Sequence, residues 1–242
     1  MIFHQLRISI IPILLLSTGF GIVTWIALSG IERQRASRVV SIVEAHQAGR
    51  LAEDAARSDL LQCASERDLL RWRRYPTGRV RDSAVYGLGL IGTSRSVPAL
   101  LDLLEAPQQR VRLLAEEALR RVRKRSGNAE VDALLQEAQR LDASGRSEDA
   151  LELLDRATRI LDGHAETYFL MGTLLLERGE YPAAAAAFTL AIERNLNHFD
   201  AYLGRGICRL KRGHLDRARA DCLKAFEINP NMEEARLLAE SL

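Results

Sequence analysis

The sequence predicts an all-α fold, a right-handed α-solenoid of stacked helical repeats with an N-terminal transmembrane helix. Three observations lead to this prediction. A pattern recurs every 34 residues between residues 131 and 232, and a stretch of 24 residues near the N-terminus carries no charge. The third is composition: of 242 residues, 47% are hydrophobic but only 5% are aromatic, which is typical of packed amphipathic helices. The net charge of +2 is close to zero, whereas nucleic-acid-binding proteins usually carry a strong excess of positive charge.

The uncharged stretch covers residues 8–31. A helix rises about 1.5 Å per residue, so this length is enough to cross a hydrocarbon core of about 30 Å. We therefore expect residues 1–31 to form a membrane anchor. The alternative is a signal peptide cleaved after the small residues at 27–29, which would make the protein an exported periplasmic or secreted binding protein.

The charges that flank this stretch predict the side of the membrane on which the chain lies. Arg33, Arg35, Arg38 and Arg50 follow the apolar residues, whereas Arg7 precedes them. Positive charges concentrate on the cytoplasmic side, so we expect a single-pass protein with a cytoplasmic body. Three cysteines without a CxxC pair agree with a reducing compartment. A signal anchor that exports its body has a similar N-terminus, and this extracytoplasmic alternative stays open.

Two segments precede the 34-residue pattern. Residues 32–57 are polar and free of proline, which predicts a juxtamembrane helix that is either solvated or in contact with anionic headgroups. Residues 58–127 contain a shorter repeat, in which residues 80–81, 84 and 88 recur 31 positions later as Val-Arg, Ala and Leu. This pattern resembles HEAT-type helical repeats. Repeat units cannot bury their apolar faces alone, so we expect these helices to stack directly on the following repeats in one continuous right-handed helical stack.

The 34-residue pattern has small residues at fixed places. Its members are Tyr168, Gly172, Gly179, Ala184 and Ala191 in the second unit, Tyr202, Gly206, Gly213, Ala218 and Ala225 in the third, and Leu134, Ala138, Gly145, Ala150 and Ala157 in the first. The pattern resembles the tetratricopeptide repeat, a helix–turn–helix unit. We assign units to residues 131–164, 165–198 and 199–232, and a capping helix to 233–242. The glycines at 145, 179 and 213 are predicted to take a left-handed conformation at the turns.

The resemblance implies a concave groove that binds a peptide or helix of a partner protein. In this family the groove is lined by the second, fifth, ninth and twelfth positions of each unit. Transferred to this sequence, these positions are Asp132, Leu135, Gln139 and Asp142, then Glu166, Phe169, Thr173 and Leu176, then Asp200, Leu203, Ile207 and Leu210. The groove is apolar with an acidic edge, which favours an amphipathic or basic segment as the ligand. The alternative is that Phe169, Ile207 and Leu210 pack between repeats.

Catalytic and cofactor motifs are weak in this sequence. The glycines at 87, 89 and 92 match a dinucleotide-binding spacing, but they end a predicted helix, so we interpret them as packing positions. No histidine pair has metal-ligand spacing. The basic run at 120–125 is interpreted as complementing a helix dipole, with contact to an anionic surface as the alternative. We expect no enzyme activity, cofactor, nucleic acid or small-molecule substrate. The less favoured alternative is an enzyme subunit similar to HEAT-type lyases that act on bilin pigments.

Overall fold

The computed structural model describes residues 30–75 and 78–242, and within these ranges it contains α-helices and two short 3-10 helices but no strand. The α-helices are α1 Gly30–Gln47, α2 Glu53–Cys63, α3 Glu66–Trp72, α4 Gly78–Ile91, α5 Val97–Asp102, α6 Gln109–Lys124, α7 Ala129–Ala143, α8 Ser147–Ile160, α9 Ala165–Glu177, α10 Tyr181–Arg194, α11 Phe199–Lys211, α12 Leu215–Ile228 and α13 Glu233–Ser241.

None of the helices in the described ranges is long and apolar enough to cross a membrane. Residues 1–29, which hold almost all of the predicted anchor, lie outside the described residues. The predicted anchor therefore stays a prediction.

Helices α1 to α6 form an N-terminal block around one core. The positions of the 31-residue repeat, Ala84 and Leu88 in α4 and Ala115 and Leu119 in α6, are all fully buried. Two glycines let α4 approach its neighbours: a Cβ at position 89 would lie 3.0 Å from the Cα of Ala118, and one at position 87 would lie 3.1 Å from Leu69. The glycine motif is thus a packing device, as interpreted from the sequence.

Helix α1 differs from the separate juxtamembrane helix expected for residues 32–57. One of its faces, formed by Ala36, Val39, Ile42 and Val43, is buried in the core of the N-terminal block. The expected boundary at residue 57 falls inside α2. The reason is that the β-branched residues at 39–43 pack against α2 and α4 instead of facing solvent.

Helices α7 to α12 form three antiparallel hairpins, and α13 follows the third. The turn glycines Gly145, Gly179 and Gly213 have φ of 80°, 77° and 76°, which confirms the predicted left-handed turns. Phe188 fills the space between the second and third units. A Cβ at Gly172 would lie 2.7 Å from its ring and one at Gly204 would lie 2.5 Å away.

The third unit departs from the apolar repeat pattern at Arg209 and Cys222, and an ion-pair network replaces the missing contacts. The buried carboxylate of Asp221 accepts hydrogen bonds from Arg205 Nη2 at 2.8 Å and from Arg209 Nη1 at 2.7 Å. Because both guanidiniums reach one carboxylate, the charged residues are compensated within the hairpin.

The two blocks pack directly on each other, but α6 does not stack on α7 as a neighbouring repeat helix would. The chain turns at 125–128, where Gly127 has φ of 79° and the Asn128 side chain caps α7 by accepting from Glu130 N at 2.9 Å and Val131 N at 3.2 Å. Helix α6 instead lies across the beginnings of α9, α11 and α13, and the core of the N-terminal block extends to Phe199 and Ala235. The cause is the side chains on α6, whose partners lie where these helices begin.

Candidate functional site

The side of the C-terminal block on which α9 and α11 begin is partly covered by α6, and arginines make the contact. Arg120 Nη2 lies 2.8 Å from Asp200 Oδ1, and Arg123 Nη1 lies 3.3 Å from Asp200 Oδ2. Arg123 also donates from Nη2 to the carbonyl oxygen of Asn197 at 2.7 Å. A single carboxylate at the start of α11 thus holds two guanidiniums from α6.

An aromatic ring lies beneath the same two guanidiniums. The Arg123 guanidinium carbon is 4.2 Å from the centre of the Phe199 ring, and that of Arg120 is 5.7 Å away. Phe199 is fully buried and Arg123 nearly so. A buried guanidinium is stabilised by such cation–π contact in addition to its hydrogen bonds.

Burial and pairing act on these arginines in opposite directions. Burial lowers the pKa of Arg123, although its attraction to Asp200 partly opposes that shift. For Arg120 the hydrogen bond and charge of Asp200 outweigh the burial, and the pKa is raised. Both groups stay protonated at neutral pH, so the contact is a permanent ion pair in that range.

Two further points tie α6 to the repeats. At the start of α6, Arg112 Nε donates to Asn231 Oδ1 at 3.1 Å, and Asn231 Nδ2 donates to Glu116 Oε2 at 2.9 Å. At its end, the carbonyl oxygen of Arg123 lies 2.8 Å from His164 Nε2. Helix α6 therefore spans from the loop before α13 to the loop before α9.

The groove residues predicted in the first turns of the helices are occupied by contacts within the chain. Asp200 binds the α6 arginines, and Leu203 packs against the core cluster that includes α6. Glu166 is buried, with Oε2 at 3.4 Å from Nε2 of the buried His198. Asp132 accepts hydrogen bonds from the main chain and side chain of Ser126 at 2.8 and 2.6 Å.

The acidic edge predicted from the sequence is thus largely engaged inside the chain. At Asp200 the segment that engages this edge is α6, an amphipathic helix rich in arginine. The predicted chemistry of the ligand, amphipathic or basic, is matched here by a segment of the same chain.

Two other predicted groove residues belong to cores inside the repeats. Phe169 contacts the Phe188 ring at 5.9 Å and the His198 ring at 4.8 Å between centroids. Leu135 is buried in the core of the first hairpin. Both rings that Phe169 contacts belong to its own unit, residues 165–198.

The remaining predicted residues lie farther along their helices and are at least partly accessible. Gln139 is exposed, and the partly buried residues are Asp142, Thr173, Leu176, Ile207 and Leu210. Of these, Leu176 also packs against the core of the second hairpin. Ile207 and Leu210 lie two to three turns beyond the Asp200 turn that α6 covers. We call the stretch formed by Gln139, Thr173, Leu176, Ile207 and Leu210 the open half of the groove.

A cleft of about 260 Å³ lies where α2 and the end of α6 face α7 and α9. Its lining includes the predicted residues Leu135, Gln139 and Glu166, together with Arg57 and Arg125. Burial lowers the pKa of Arg125 to about 10, and the charge of Arg57 acts in the same direction. The Arg125 side chain donates to the carbonyl oxygens of residues 89 and 92, so it fastens the end of α6 to α4.

The sequence interpretation missed the role of the basic run at 120–125. It assigned these residues to the helix dipole or to an anionic surface, whereas Arg120, Arg123 and Arg125 contact other parts of the chain. The signal that could have revealed this is the three-residue spacing of Arg120 and Arg123, which places both on one helix face beside Leu119.

Reactive groups are scarce in the described residues. Within 30–75 and 78–242, no group of three or more His, Cys, Asp or Glu side chains could hold a metal ion. The cysteines at 63, 208 and 222 are buried free thiols. Burial raises the pKa of Cys208 and of Cys222 to about 11, so neither thiol is activated as a nucleophile.

Residues 169–233 match the model of the tetratricopeptide repeat family, which confirms the repeats predicted for the second and third units. DnaJ homolog subfamily C member 3 from Bos taurus is 33% identical over 112 residues, covering 45% of this chain and 22% of that protein. Anaphase-promoting complex subunit 3 from Schizosaccharomyces pombe is 34% identical over 82 residues, covering 34% of this chain and 12% of that protein. The chain therefore spans 22% or less of the length of either relative.

YrrB and MamA are among the solved structures that are similar to this chain. YrrB, described as a TPR protein with an unusual peptide-binding site, is 22% identical with a TM-score of 0.43 over 86% of this chain and 89% of that one. MamA is 16% identical with a TM-score of 0.40 over 81% and 92%. The resemblance of residues 58–127 to HEAT-type repeats stays a prediction.

Proposed function

We propose that this chain is a protein-interaction scaffold that binds a segment of a partner protein in the open half of its groove, without catalysis. The observation that supports this is the row of accessible side chains, both polar and apolar, on α7, α9 and α11. Ile207 and Leu210 are partly exposed apolar residues on α11. An accessible apolar stretch between fixed helices is a typical peptide-binding surface.

The charges around the open half indicate the chemistry of the ligand. The carboxylates of Asp132, Glu166 and Asp200 face partners within the chain, so little negative charge is left for a basic ligand. We therefore infer that the partner segment is amphipathic, with an apolar face on Ile207, Leu210 and Leu176 and a polar contact to Gln139 or Thr173. This narrows the sequence-based expectation of an amphipathic or basic ligand.

We further propose that residues 8–31 anchor the chain in a membrane and that the repeats face the cytoplasm. The support is the sequence alone: 24 residues without charge, followed by arginines. The second candidate is an exported binding protein with the N-terminal segment removed. Carbonate extraction with intact-mass analysis separates the two, because cleavage shortens the chain by about 29 residues and leaves it in the soluble fraction.

The groove is tested by capture of partners from detergent-solubilised membranes with the full chain as bait. The double variant Ile207→Glu and Leu210→Glu places two charges on the open half, and we expect capture to fall at least about tenfold. The matched control is Leu223→Glu, because Leu223 is exposed on α12 and is not among the groove positions. Equal capture by both variants, with unchanged helicity, would refute the proposed site.

Phe169 and Leu203 are unsuitable for this test although both were predicted to line the groove. Phe169 contacts two buried rings and Leu203 packs in the core that includes α6. A charge at either position would destabilise the fold, and loss of capture would then say nothing about the groove.

A further inference from the structure

The contacts of α6 define a second binding surface beside the open half. We call Asn197, Phe199, Asp200 and Asn231 the docking edge. We propose that the docking edge recognises an amphipathic helix with arginines in the α6 pattern, that α6 is its resident occupant, and that a partner helix of this pattern takes its place. This proposal extends the proposed function to a different surface of the same block.

The pattern is set by three arginines on one helix. Arg120 follows Arg112 by eight residues and Arg123 follows by eleven, which correspond to about two and three helical turns and so to one face. Arg112 binds Asn231, and the other two bind Asp200. The docking edge thus contacts three arginine side chains that are spread over about 16 Å of helix, and it selects helices with this spacing.

Arginine rather than lysine suits this surface. Arg123 uses one nitrogen for Asp200 and another for the carbonyl oxygen of Asn197, while its guanidinium carbon lies 4.2 Å from the centre of the Phe199 ring. The planar guanidinium of arginine has several N–H donors, so it can make both hydrogen bonds and the contact with the ring at once. The ammonium group of lysine is a compact point charge that cannot. A ligand in which lysine replaces these arginines is therefore expected to bind more weakly.

The contact combines a polar edge with a buried apolar centre. Ion pairs and hydrogen bonds form the edge, where the Arg120 side chain is 42% exposed, whereas Phe199 and Ala235 are buried in the core of the N-terminal block. A helix that replaces α6 must therefore cover this apolar centre with its own apolar face. The two blocks join through the short turn at 125–128, where Gly127 provides the left-handed conformation. Rotation at this turn would move α6, together with the rest of its block, away from the docking edge.

The test uses the full chain and a fluorescein-labelled synthetic peptide copying residues 109–125. In the variant Arg120→Glu with Arg123→Glu, the resident helix is repelled by Asp200 while the docking edge is unchanged. We expect this variant to bind the peptide at least about tenfold more tightly than the wild type, because no resident helix competes. A peptide with lysine at 112, 120 and 123 should bind more weakly.

The matched control is Arg110→Glu, the same charge reversal on the same helix. Arg110 pairs with Asp82 inside the N-terminal block and is 73% exposed, so its replacement should leave peptide binding at the wild-type level. A folded double variant that binds the peptide no better than the wild type would overturn the proposal. So would a stable dimer of that variant formed by exchange of α6, since the occupant would then be a second copy.

A second measurement covers the case in which the double variant fails to fold. Cysteines introduced at Glu116 and Asn231, which lie in hydrogen-bond contact, can be joined by a short bis-maleimide. The linked protein should lose the residual peptide binding of the unlinked one, whereas equal binding would contradict displacement of α6. In either format, Ile207→Glu with Leu210→Glu should leave peptide binding unchanged, which separates this surface from the open half.

Discussion

Replacing Asp200 with Asn is the sharpest test of the junction between the two blocks. The substitution keeps the size of the side chain but removes the charge that faces Arg120 and Arg123. Asp200 Oδ1 is 2.8 Å from Arg120 Nη2, and Oδ2 is 3.3 Å from Arg123 Nη1. The Arg123 side chain is only 5% exposed, so it cannot turn to water without moving α6.

The size of the effect follows from the burial of each partner. Removing one partner of a fully buried ion pair costs about 3–5 kcal/mol, and an exposed pair contributes about 0–1 kcal/mol. Because Arg120 is half-exposed, the loss of its ion pair should cost near the lower of these values. The loss at Arg123 should be less than that of a fully buried pair, because Arg123 keeps its hydrogen bond to the Asn197 carbonyl oxygen. We therefore expect Asp200→Asn to lower the free energy of unfolding by about 2–3 kcal/mol, or about 30- to 150-fold in the folding equilibrium.

Urea denaturation followed by far-ultraviolet circular dichroism measures this change. The control is Asp155→Asn, which alters an exposed pair with Arg159 on α8 and should stay within about 0.5 kcal/mol of the wild type. The denaturant slope should be unchanged if both blocks unfold together. A loss no larger than that of the control would show that the Asp200 contact does not join the blocks.

Three further predictions concern the interior of the repeats. Gly204→Ala should lower the free energy of unfolding by about 1–3 kcal/mol, because the new Cβ would lie 2.5 Å from the Phe188 ring. The control is Gly163→Ala, which should lower it less because the space around Gly163 is open. Thermal denaturation of both variants measures the difference. The thiols of Cys208 and Cys222 should resist alkylation at pH 8 until urea unfolds the chain, and rapid native labelling would contradict their burial. Because their folded pKa of about 11 exceeds the usual 9.0, their contribution to stability is complete below pH 9 and is lost as the pH rises toward 11, which denaturation at pH 8 and pH 10.5 would show.

Local features of the repeats could be predicted from the sequence because each depends on neighbouring residues. The left-handed turns favour glycine at 145, 179 and 213, and close helix packing favours alanine at 150, 184 and 218. The 34-residue period of these small residues is therefore enough to predict the three hairpins. The same holds for Ala84 and Ala115, which mark equivalent core positions of α4 and α6.

The position of α6 could not be predicted, because its partners lie far away in sequence. Arg120 and Asp200 are 80 residues apart, and Arg112 and Asn231 are 119 apart. An arginine near the end of a helix has a sufficient local explanation in the helix dipole, and nothing in the period of either repeat shows how the blocks meet. Asp200 and Leu203 were predicted as ligand-binding positions because they were considered within their own helix, whereas in the structure they contact α6 or the core that includes it.

The course of α6 also bears on the order in which the protein is made and folded. In an ordinary repeat array each unit contacts only its neighbours, so folding can follow synthesis unit by unit. Here α6 leaves the ribosome before the residues that it will contact. After Arg123 has been added, about 80 more residues must be synthesised before Asp200 is present, which takes about 4–16 s at usual rates of elongation. During that interval the apolar and cationic face of α6 has no partner within the nascent chain, and the N-terminal block cannot complete its core until Phe199 arrives. The hydrogen bond between Arg112 and Asn231 joins residues that are 119 positions apart, and it ties the segment before the final helix to the first block only near the end of synthesis.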